Sequence, residues 1–111
     1  MISFVPDRGD LVWLDFSPQA GHEQAGRRPG FVVSSRAFNA KLNLAFICPV
    51  TSRVKGRGFE VLLPDGLPIQ GAILIEHMKS VNWAARKLEQ ICLAPGEVLD
   101  EVLAKLNLIL N

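Results

Sequence analysis

Short β-favouring runs, separated by glycine, proline and polar residues, fill most of the sequence. They restrict the folds open to this chain to those built on a β-sheet. These runs cover residues 9–16, 30–34, 44–50, 59–63, 71–75 and 88–93. Runs of this length with turn-forming residues between them are typical of antiparallel strands. Residues 36–41 are compatible with one helical turn. The pattern predicts a small, barrel-like antiparallel sheet.

Only the end of the chain has helical periodicity. Its apolar positions recur three or four residues apart, at Leu99, Val102, Leu103, Leu106 and Leu110. Pro95 fits the first position of a helix, and Glu97 falls in the first turn, where the helix dipole favours a negative charge. We therefore expect one amphipathic helix on the sheet, which makes the fold class mainly β with a C-terminal helix.

Length and composition indicate one folded domain over residues 1–111, because 49% of the residues are hydrophobic and 21% are charged. No apolar run reaches the about 18 residues that a membrane span requires. The first ten residues lack the apolar centre of a signal peptide. We expect a cytoplasmic protein that does not associate with a membrane.

The two cysteines, Cys48 and Cys92, each lie in an apolar run. We expect both to be reduced thiols of the core. Two cysteines and two histidines at such wide spacing do not form a metal-ligand pattern, and apolar neighbours do not suit a reactive thiolate. The sequence therefore predicts neither a metal nor a cofactor.

The charges are distributed unevenly although the net charge is only +1. No acidic residue occurs between Glu23 and Glu60. The basic residues of that stretch are Arg27, Arg28, Arg36, Lys41, Arg53, Lys55 and Arg57. Two interpretations remain open: a local anion-binding face, or a solvated surface whose acidic neighbours come from elsewhere in the fold.

Two polar loops carry residues suited to phosphate chemistry. The first, at 17–29, contains Glu23 and Arg28, and the second, at 51–58, begins with Thr51. A guanidinium holds a phosphate through two hydrogen bonds, a carboxylate accepts a proton, and a hydroxyl donates one. Such a set is sufficient for attack of an RNA 2′-hydroxyl on its own phosphate. A structural interpretation remains beside it, in which Glu23 and Arg28 pair across the loop.

Longer motifs support the interpretation that these two loops carry phosphate chemistry. Residues 5–16 (VPDRGDLVWLDF) resemble the opening of the MazF, or PemK-like, toxins, which is typically PxxGD(L/I)(I/V)W(V/L)DF. Residues 23–29 are similar to the EQAGxRP signature of these toxins, and residues 48–52 to their VxPxTS segment. Lys79-Ser80 and residues 83–86 match a K(S/T)xxW element.

The resemblance implies an SH3-like barrel of the kind shared by MazF and the gyrase poison CcdB. It implies sequence-selective, metal-independent cleavage of single-stranded RNA by the toxin of a type II toxin–antitoxin system. The products would be a 2′,3′-cyclic phosphate and a 5′-hydroxyl. The partners would be a second copy of the chain and a MazE-like antitoxin with an acidic, flexible tail.

The resemblance also implies roles for single residues. Arg28 takes the place of the catalytic arginine, Thr51 that of a threonine holding the scissile phosphate, and Glu23 that of a glutamate proposed as base. The expected RNA-binding residues are Asp15, Gln24, Arg27, Ser52, Arg53, Lys55, Arg57, His77, Lys79 and Arg86. For Arg27 we expect a contact with a backbone phosphate.

Two positions depart from the family pattern. Glu76-His77 stands where the family often has Asp-Gln. His77 is therefore either a reader of a base edge or a structural histidine. His22 is either a proton carrier or an exposed loop residue.

Among the aromatic residues, we expect Trp13, Phe31, Phe46 and Phe59 in the core because they lie in strands. Trp83 and Phe38 lie outside the strands and are candidates for stacking on a base or for a dimer contact.

Two other functions remain as alternatives. A CcdB-like topoisomerase inhibitor would have the same fold but would not need Glu23, Arg28 and Thr51. A peptide-binding module would need an aromatic groove, which an aromatic content of 7% without tyrosine does not favour.

Overall fold

The computed structural model describes residues 4–15, 26–56 and 59–111. Its strands are β1 (Asp10–Asp15), β2 (Arg27–Val32), β3 (Ala45–Thr51), β4 (Glu60–Leu62), β5 (Ala72–Leu74), β6 (Lys79–Val81) and β7 (Glu89–Leu93). Its α-helices are α1 (Arg36–Leu42) and α2 (Gly96–Leu110), and a 3-10 turn covers Ile75–His77.

Within the described residues, seven strands form an antiparallel sheet: six lie in the order β4-β5-β3-β2-β1-β7, and β6 pairs with β3 beside this path. Strand β3 is the centre of this arrangement. One of its edges pairs with β2, whereas the other edge pairs first with β6 and then with β5. The prediction of a mainly β, antiparallel fold with a C-terminal helix is confirmed.

Strand β2 begins at Arg27, three residues before the predicted start at Gly30. The predicted loop over 17–29 was therefore too long at this end. Strand β1 pairs with the whole of β2, with Leu14 opposite Arg28 and Asp15 opposite Arg27. Strand β3 pairs with β2 only from Gly30 onward. The first three residues of β2 thus have one open edge, which is where a strand tolerates a proline such as Pro29.

The core forms on both faces of the sheet because successive residues of a strand point to opposite sides. Leu11 and Phe31 belong to one cluster, which helix α2 covers. Their neighbours Val12 and Val32 belong to the other cluster, which includes Trp83. Burying both faces explains why the central strands are continuously apolar rather than alternating.

Helix α2 begins one residue later than expected, with Pro95 at the N-cap and Gly96 as its first residue. Its buried face is formed by Val98, Val102 and Leu106. Leu110 was expected on this face but is 75% exposed. No helix in the described part of the chain is long and apolar enough to cross a bilayer.

The burial of several aromatic side chains differs from the predictions. Phe31 is fully buried, and Trp13 packs against the core, as expected. The assignments of Phe46 and Phe59 to the core were wrong, because these side chains are 37% and 39% exposed. Phe46 stacks on Phe38, with a distance of 5.5 Å between ring centroids.

Trp83 was considered for base stacking, but it is buried, and its indole Nε1 donates a hydrogen bond to the Asn39 carbonyl at 3.0 Å. Asn39 is itself buried, and its amide donates to the carbonyls of Pro6 and Ser34. These bonds tie α1 to the segment before β1 and to the turn at Trp83. Every one of these polar groups has a partner, which burial requires.

Burial and the negative charge of Glu76 raise the pKa of the Cys48 thiol to about 12. Cys48 is fully buried as expected, whereas Cys92 is only partly buried.

This pKa predicts a loss of stability at high pH. The folded thiol keeps its proton up to about pH 12, whereas the unfolded thiol loses it near pH 9. The contribution of Cys48 to the free energy of unfolding is therefore complete below pH 9 and falls as pH rises toward 12. In urea titrations between pH 8 and 11, wild type should lose stability more steeply than Cys48→Ala. Parallel curves would contradict the assignment.

Candidate functional site

The start of β2 and the end of β3 diverge and leave a cleft between them. Their pairing places Gly30 opposite Pro49, and continuing this register would bring Arg28 opposite Thr51. The ladder stops at Gly30, so the two side chains border open space instead. The cleft has a volume of about 580 Å³ and is lined by Arg28, Pro29, Val50, Thr51, Ser52, Arg53 and Gln70. The structure thus brings the two predicted loops together at the Arg28–Thr51 pair.

Arg28 is exposed at one wall of the cleft. No described residue forms an ion pair or a hydrogen bond with its guanidinium. Its backbone is held because Arg28 pairs with Leu14 of β1. A fixed backbone and an open guanidinium are what a phosphate ligand requires.

Thr51 forms the opposite wall and is half-buried. Its Oγ1 accepts a hydrogen bond of 3.0 Å from the backbone N–H of Arg53. Because the hydroxyl oxygen acts as acceptor there, its own O–H remains available to donate into the cleft. The Arg28 guanidinium and the Thr51 hydroxyl therefore both offer donors to one anion.

Gly71 is a functional position that the sequence analysis missed. It adopts a φ of +128°, and a Cβ at this position would overlap the Thr51 carbonyl oxygen. The adjacent Ala72 pairs with Thr51 in the sheet. The only local signal was an isolated glycine before a strand, which indicates a close backbone approach but not its partner.

The loop after Thr51 is held by a carboxylate. Glu60 accepts hydrogen bonds from the backbone N–H groups of Lys55, at 3.1 Å, and Gly56, at 2.9 Å. These bonds fix the loop through its backbone, and no described residue pairs with the charged groups of Arg53 or Lys55. The Arg53 side chain therefore borders the cleft, and the Lys55 side chain borders a smaller cavity beside it.

A second, smaller cavity of about 200 Å³ adjoins the cleft through Thr51 and Arg53. The residues lining it are Thr51, Arg53, Lys55, Glu60, Leu74, Glu76 and His77. The exposed His77, expected near the groove, is thus placed beside the Arg28–Thr51 cleft.

Three other predicted RNA-binding residues form a separate cluster. Arg27 makes ion pairs with Asp15, at 3.1 Å, and with Glu89, at 3.0 Å. Arg86 lies beside them, with its Nη1 3.4 Å from the Asp15 carbonyl. Lys79 lies elsewhere, on β6 opposite Ile47.

The two interpretations of the acid-free stretch therefore apply to different residues. Fold neighbours supply carboxylates to Arg27, and also to Arg36, whose partner is Asp7 at 3.8 Å. Arg28, Arg53 and Lys55 have no such partner among the described residues. Lys41, in α1, also has no carboxylate partner in the described part of the chain but does not line the cleft. The other three line the cleft or the adjoining cavity, and this local concentration of open cations is the pattern of an anion-binding face.

Several predicted residues lie outside the described part of the chain: Glu23, Gln24, Arg57 and His22. Their roles stay predictions. Within residues 4–15, 26–56 and 59–111, no group of three His, Cys, Asp or Glu side chains is arranged to hold a metal ion.

Fold and cleft together define a class of protein: a small antiparallel sheet with a C-terminal helix that presents open cationic and hydroxyl donors to an anion. The comparisons specify the class further. Residues 7–110 match the model of the PemK-like, MazF-like toxin of type II toxin–antitoxin systems. The chain belongs to this family.

Relatives are similar over nearly their whole length. The endoribonuclease toxin MazF of Escherichia coli K12 is 39% identical over 97% of this chain and 96% of its own. The endoribonuclease PemK of Escherichia coli is 34% identical over 95% of this chain and 82% of its own. A crystal structure of MazE–MazF from Deinococcus radiodurans matches with a TM-score of 0.91 and 52% identity, covering 97% of both chains.

The contact between Gly71 and Thr51 predicts unequal effects of two alanine substitutions. Gly66 also has a positive φ, of +95°, but open space surrounds its Cβ position. Both substitutions strain the backbone, whereas only Gly71→Ala also displaces Thr51. We expect Gly71→Ala to lower the free energy of unfolding by roughly 1–3 kcal/mol more than Gly66→Ala in urea titrations. Equal losses would show that the approach to Thr51 is not constrained.

Proposed function

We propose that this chain is the sequence-selective endoribonuclease toxin of a type II toxin–antitoxin pair and that it cuts single-stranded RNA without a metal ion. The observation that carries the proposal is the position of Arg28 and Thr51 on opposite walls of one cleft, with the Arg28 guanidinium open to an anion. The relatives named endoribonuclease MazF and endoribonuclease PemK support the reaction class.

In the proposed reaction the RNA supplies its own nucleophile. The 2′-oxygen bonds to the adjacent phosphorus as the bond from phosphorus to the 5′-oxygen breaks. Glu23 takes the proton of the 2′-hydroxyl, and the departing 5′-oxygen takes a proton from water. The products are a 2′,3′-cyclic phosphate and a 5′-hydroxyl.

Arg28 and Thr51 act on the phosphate. Negative charge accumulates on its non-bridging oxygens when the 2′-oxygen attacks. The guanidinium and the hydroxyl donate hydrogen bonds to these oxygens, and donors already in place stabilise the transition state more than the ground state. The backbone pairings of Arg28 with Leu14 and of Thr51 with Ala72 supply the rigidity that this requires.

Substrate binding uses the surroundings of the cleft. Arg53 and Lys55 have no ion-pair partner among the described residues and are suited to backbone phosphates, together with Arg57 and Ser52. His77 lines the adjoining cavity and contacts a base beside the cut. Gln24, Lys79 and Arg86 are proposed to contact RNA farther from the cut, whereas Asp15 is engaged by Arg27. Single-stranded RNA fits because unstacked bases expose their edges.

The partners follow from the charged and the apolar surfaces. We propose an antitoxin whose acidic, flexible tail covers the open cations of the cleft and excludes RNA. The relatives crystallised as MazE–MazF complexes support an antitoxin partner. The homodimer contact is proposed at the apolar surface that includes Phe38, Phe46, Met78 and Leu110. The site of action is the cytoplasm, where the RNA is.

Substituting Arg28 tests the catalytic assignment. Arg28→Ala should reduce RNA cleavage by a factor on the order of 100 or more, because a transition-state donor is lost. Arg36→Ala is the matched control, since it removes an exposed arginine of the same basic stretch away from the cleft. The thermal unfolding midpoint of both variants should equal that of wild type. Near-normal cleavage by folded Arg28→Ala would refute the assignment, and a topoisomerase inhibitor without nuclease activity would then be the better candidate.

The nucleophile gives a second test. A single deoxynucleotide on the 5′ side of the cut should block cleavage because the attacking hydroxyl is absent. Binding should be retained, since the phosphate contacts remain. Cleavage of the all-ribose substrate should continue in excess EDTA. Cutting of the deoxy substrate at a normal rate, or inhibition by EDTA, would rule out the proposed chemistry.

A further inference from the structure

Arg27 and Arg28 are neighbours in β2 with opposite surroundings. Arg27 Nη1 lies 3.1 Å from an Asp15 carboxylate oxygen, and its Nη2 lies 3.0 Å from a Glu89 oxygen. The same Nη2 donates a 2.7 Å hydrogen bond to the Lys87 carbonyl. We call this group, Arg27 with Asp15, Glu89 and the Lys87 carbonyl, the Arg27 clamp. It joins the end of β1, the start of β2 and the start of β7.

The clamp lies where β2 is weakly held. From Gly30 onward β2 is paired on both edges, but Arg27 to Pro29 are paired with β1 alone. Pro29 has no N–H with which to strengthen the pairing. Side-chain contacts therefore matter more here than at the centre of the sheet. The clamp is the side-chain contact nearest to Arg28 in sequence, and it acts from the face opposite to the cleft.

A phosphate contact by Arg27 does not fit this geometry. Two carboxylates already neutralise its charge, and its donors are directed at them and at a carbonyl. A phosphate that approached Arg27 would meet the negative charges of Asp15 and Glu89. The expectation from the sequence, that Arg27 holds a backbone phosphate, requires a free guanidinium, which Arg27 lacks and its neighbour Arg28 has.

We propose that Arg27 is a positioning residue, which fixes the start of β2 from one face so that Arg28 is held in the cleft on the other. The proposal rests on the proposed function for its kinetic consequences. Loss of the clamp should affect the catalytic step more than RNA binding, because a small displacement of a catalytic group is costly for the rate. It should affect stability little, because exposed ion pairs contribute little.

The experiment compares Arg27→Ala, Arg27→Lys and Glu89→Ala, with Arg36→Ala as the control that breaks an exposed ion pair elsewhere. Single-turnover cleavage gives the rate of the chemical step. Titration of an RNA with one deoxynucleotide at the cut, at several salt concentrations, gives Kd and its salt dependence. Hydrogen exchange of the backbone amides at the start of β2 reports the clamp without requiring cleavage.

Arg27→Ala should slow cleavage by a factor on the order of 10 to 100 and leave the salt dependence of Kd unchanged. Arg27→Lys should recover part of the rate, because the positive charge is kept. Recovery should be incomplete, because one ammonium cannot bind both carboxylates as the planar guanidinium does. Glu89→Ala should also slow cleavage, although removing a carboxylate would on electrostatic grounds favour RNA. Both alanine variants of the clamp should speed amide exchange at the start of β2, and Arg36→Ala should change neither rate nor exchange.

The opposite pattern would overturn the proposal. If Arg27 holds a phosphate, Arg27→Ala should reduce the slope of log Kd against log salt by about 0.7. The cleavage rate of bound RNA should then be unchanged in Arg27→Ala. Glu89→Ala should then leave RNA affinity unchanged or increase it. Unchanged exchange in Arg27→Ala would also refute the clamp. If wild type cuts no RNA but exchange rises in the clamp variants, the proposed function fails while the structural role of Arg27 stands.

Discussion

The unequal length of two strand pairings determines the rest of this structure. Strand β1 pairs with β2 back to Arg27, whereas β3 leaves β2 at Gly30. Where the third strand departs, the sheet opens and a cleft appears without any insertion. Side chains at the opening have backbones fixed on one edge only, which combines rigidity with access. Arg28 has both properties: its backbone pairs with Leu14, and its guanidinium borders the open cleft.

Close backbone contacts support the opposite wall. Gly71 allows its chain to approach the Thr51 carbonyl more closely than any side chain would permit. Gly30 has a comparable role at the centre of the sheet, where a Cβ would lie 2.6 Å from Ile47 Cγ2. Arg28 and Thr51 therefore both lie on regular strands, although loop residues complete the cleft, and sites on regular elements hold their geometry more accurately.

Much of this arrangement could be predicted from the sequence, but only where the signal is local. The C-terminal helix follows from its apolar period, and the family motifs implied that Arg28 and Thr51 belong to one site. The start of β2 at Arg27 could not be predicted, because Pro29 and Gly30 interrupt the local pattern and only pairing with β1 extends the strand. Trp83 was misjudged for a similar reason. Its burial depends on Asn39, a partner 44 positions away in the sequence.

Charge in the basic loop shows how the fold keeps cations available. A loop that contains Arg53 and Lys55 needs a counter-interaction to stay ordered, and an ion pair with either side chain would neutralise the charge that binds phosphate. Glu60 instead accepts hydrogen bonds from the backbone N–H groups of Lys55 and Gly56. Gly56 has a φ of +74°, which suits a turn that directs successive amides toward one anion. Because the carboxylate binds the backbone, residues 55 and 56 are held while the Arg53 and Lys55 side chains keep their charge unpaired among the described residues. Arg27 shows the alternative, in which ion pairs order a strand end and the cation is no longer available to the substrate.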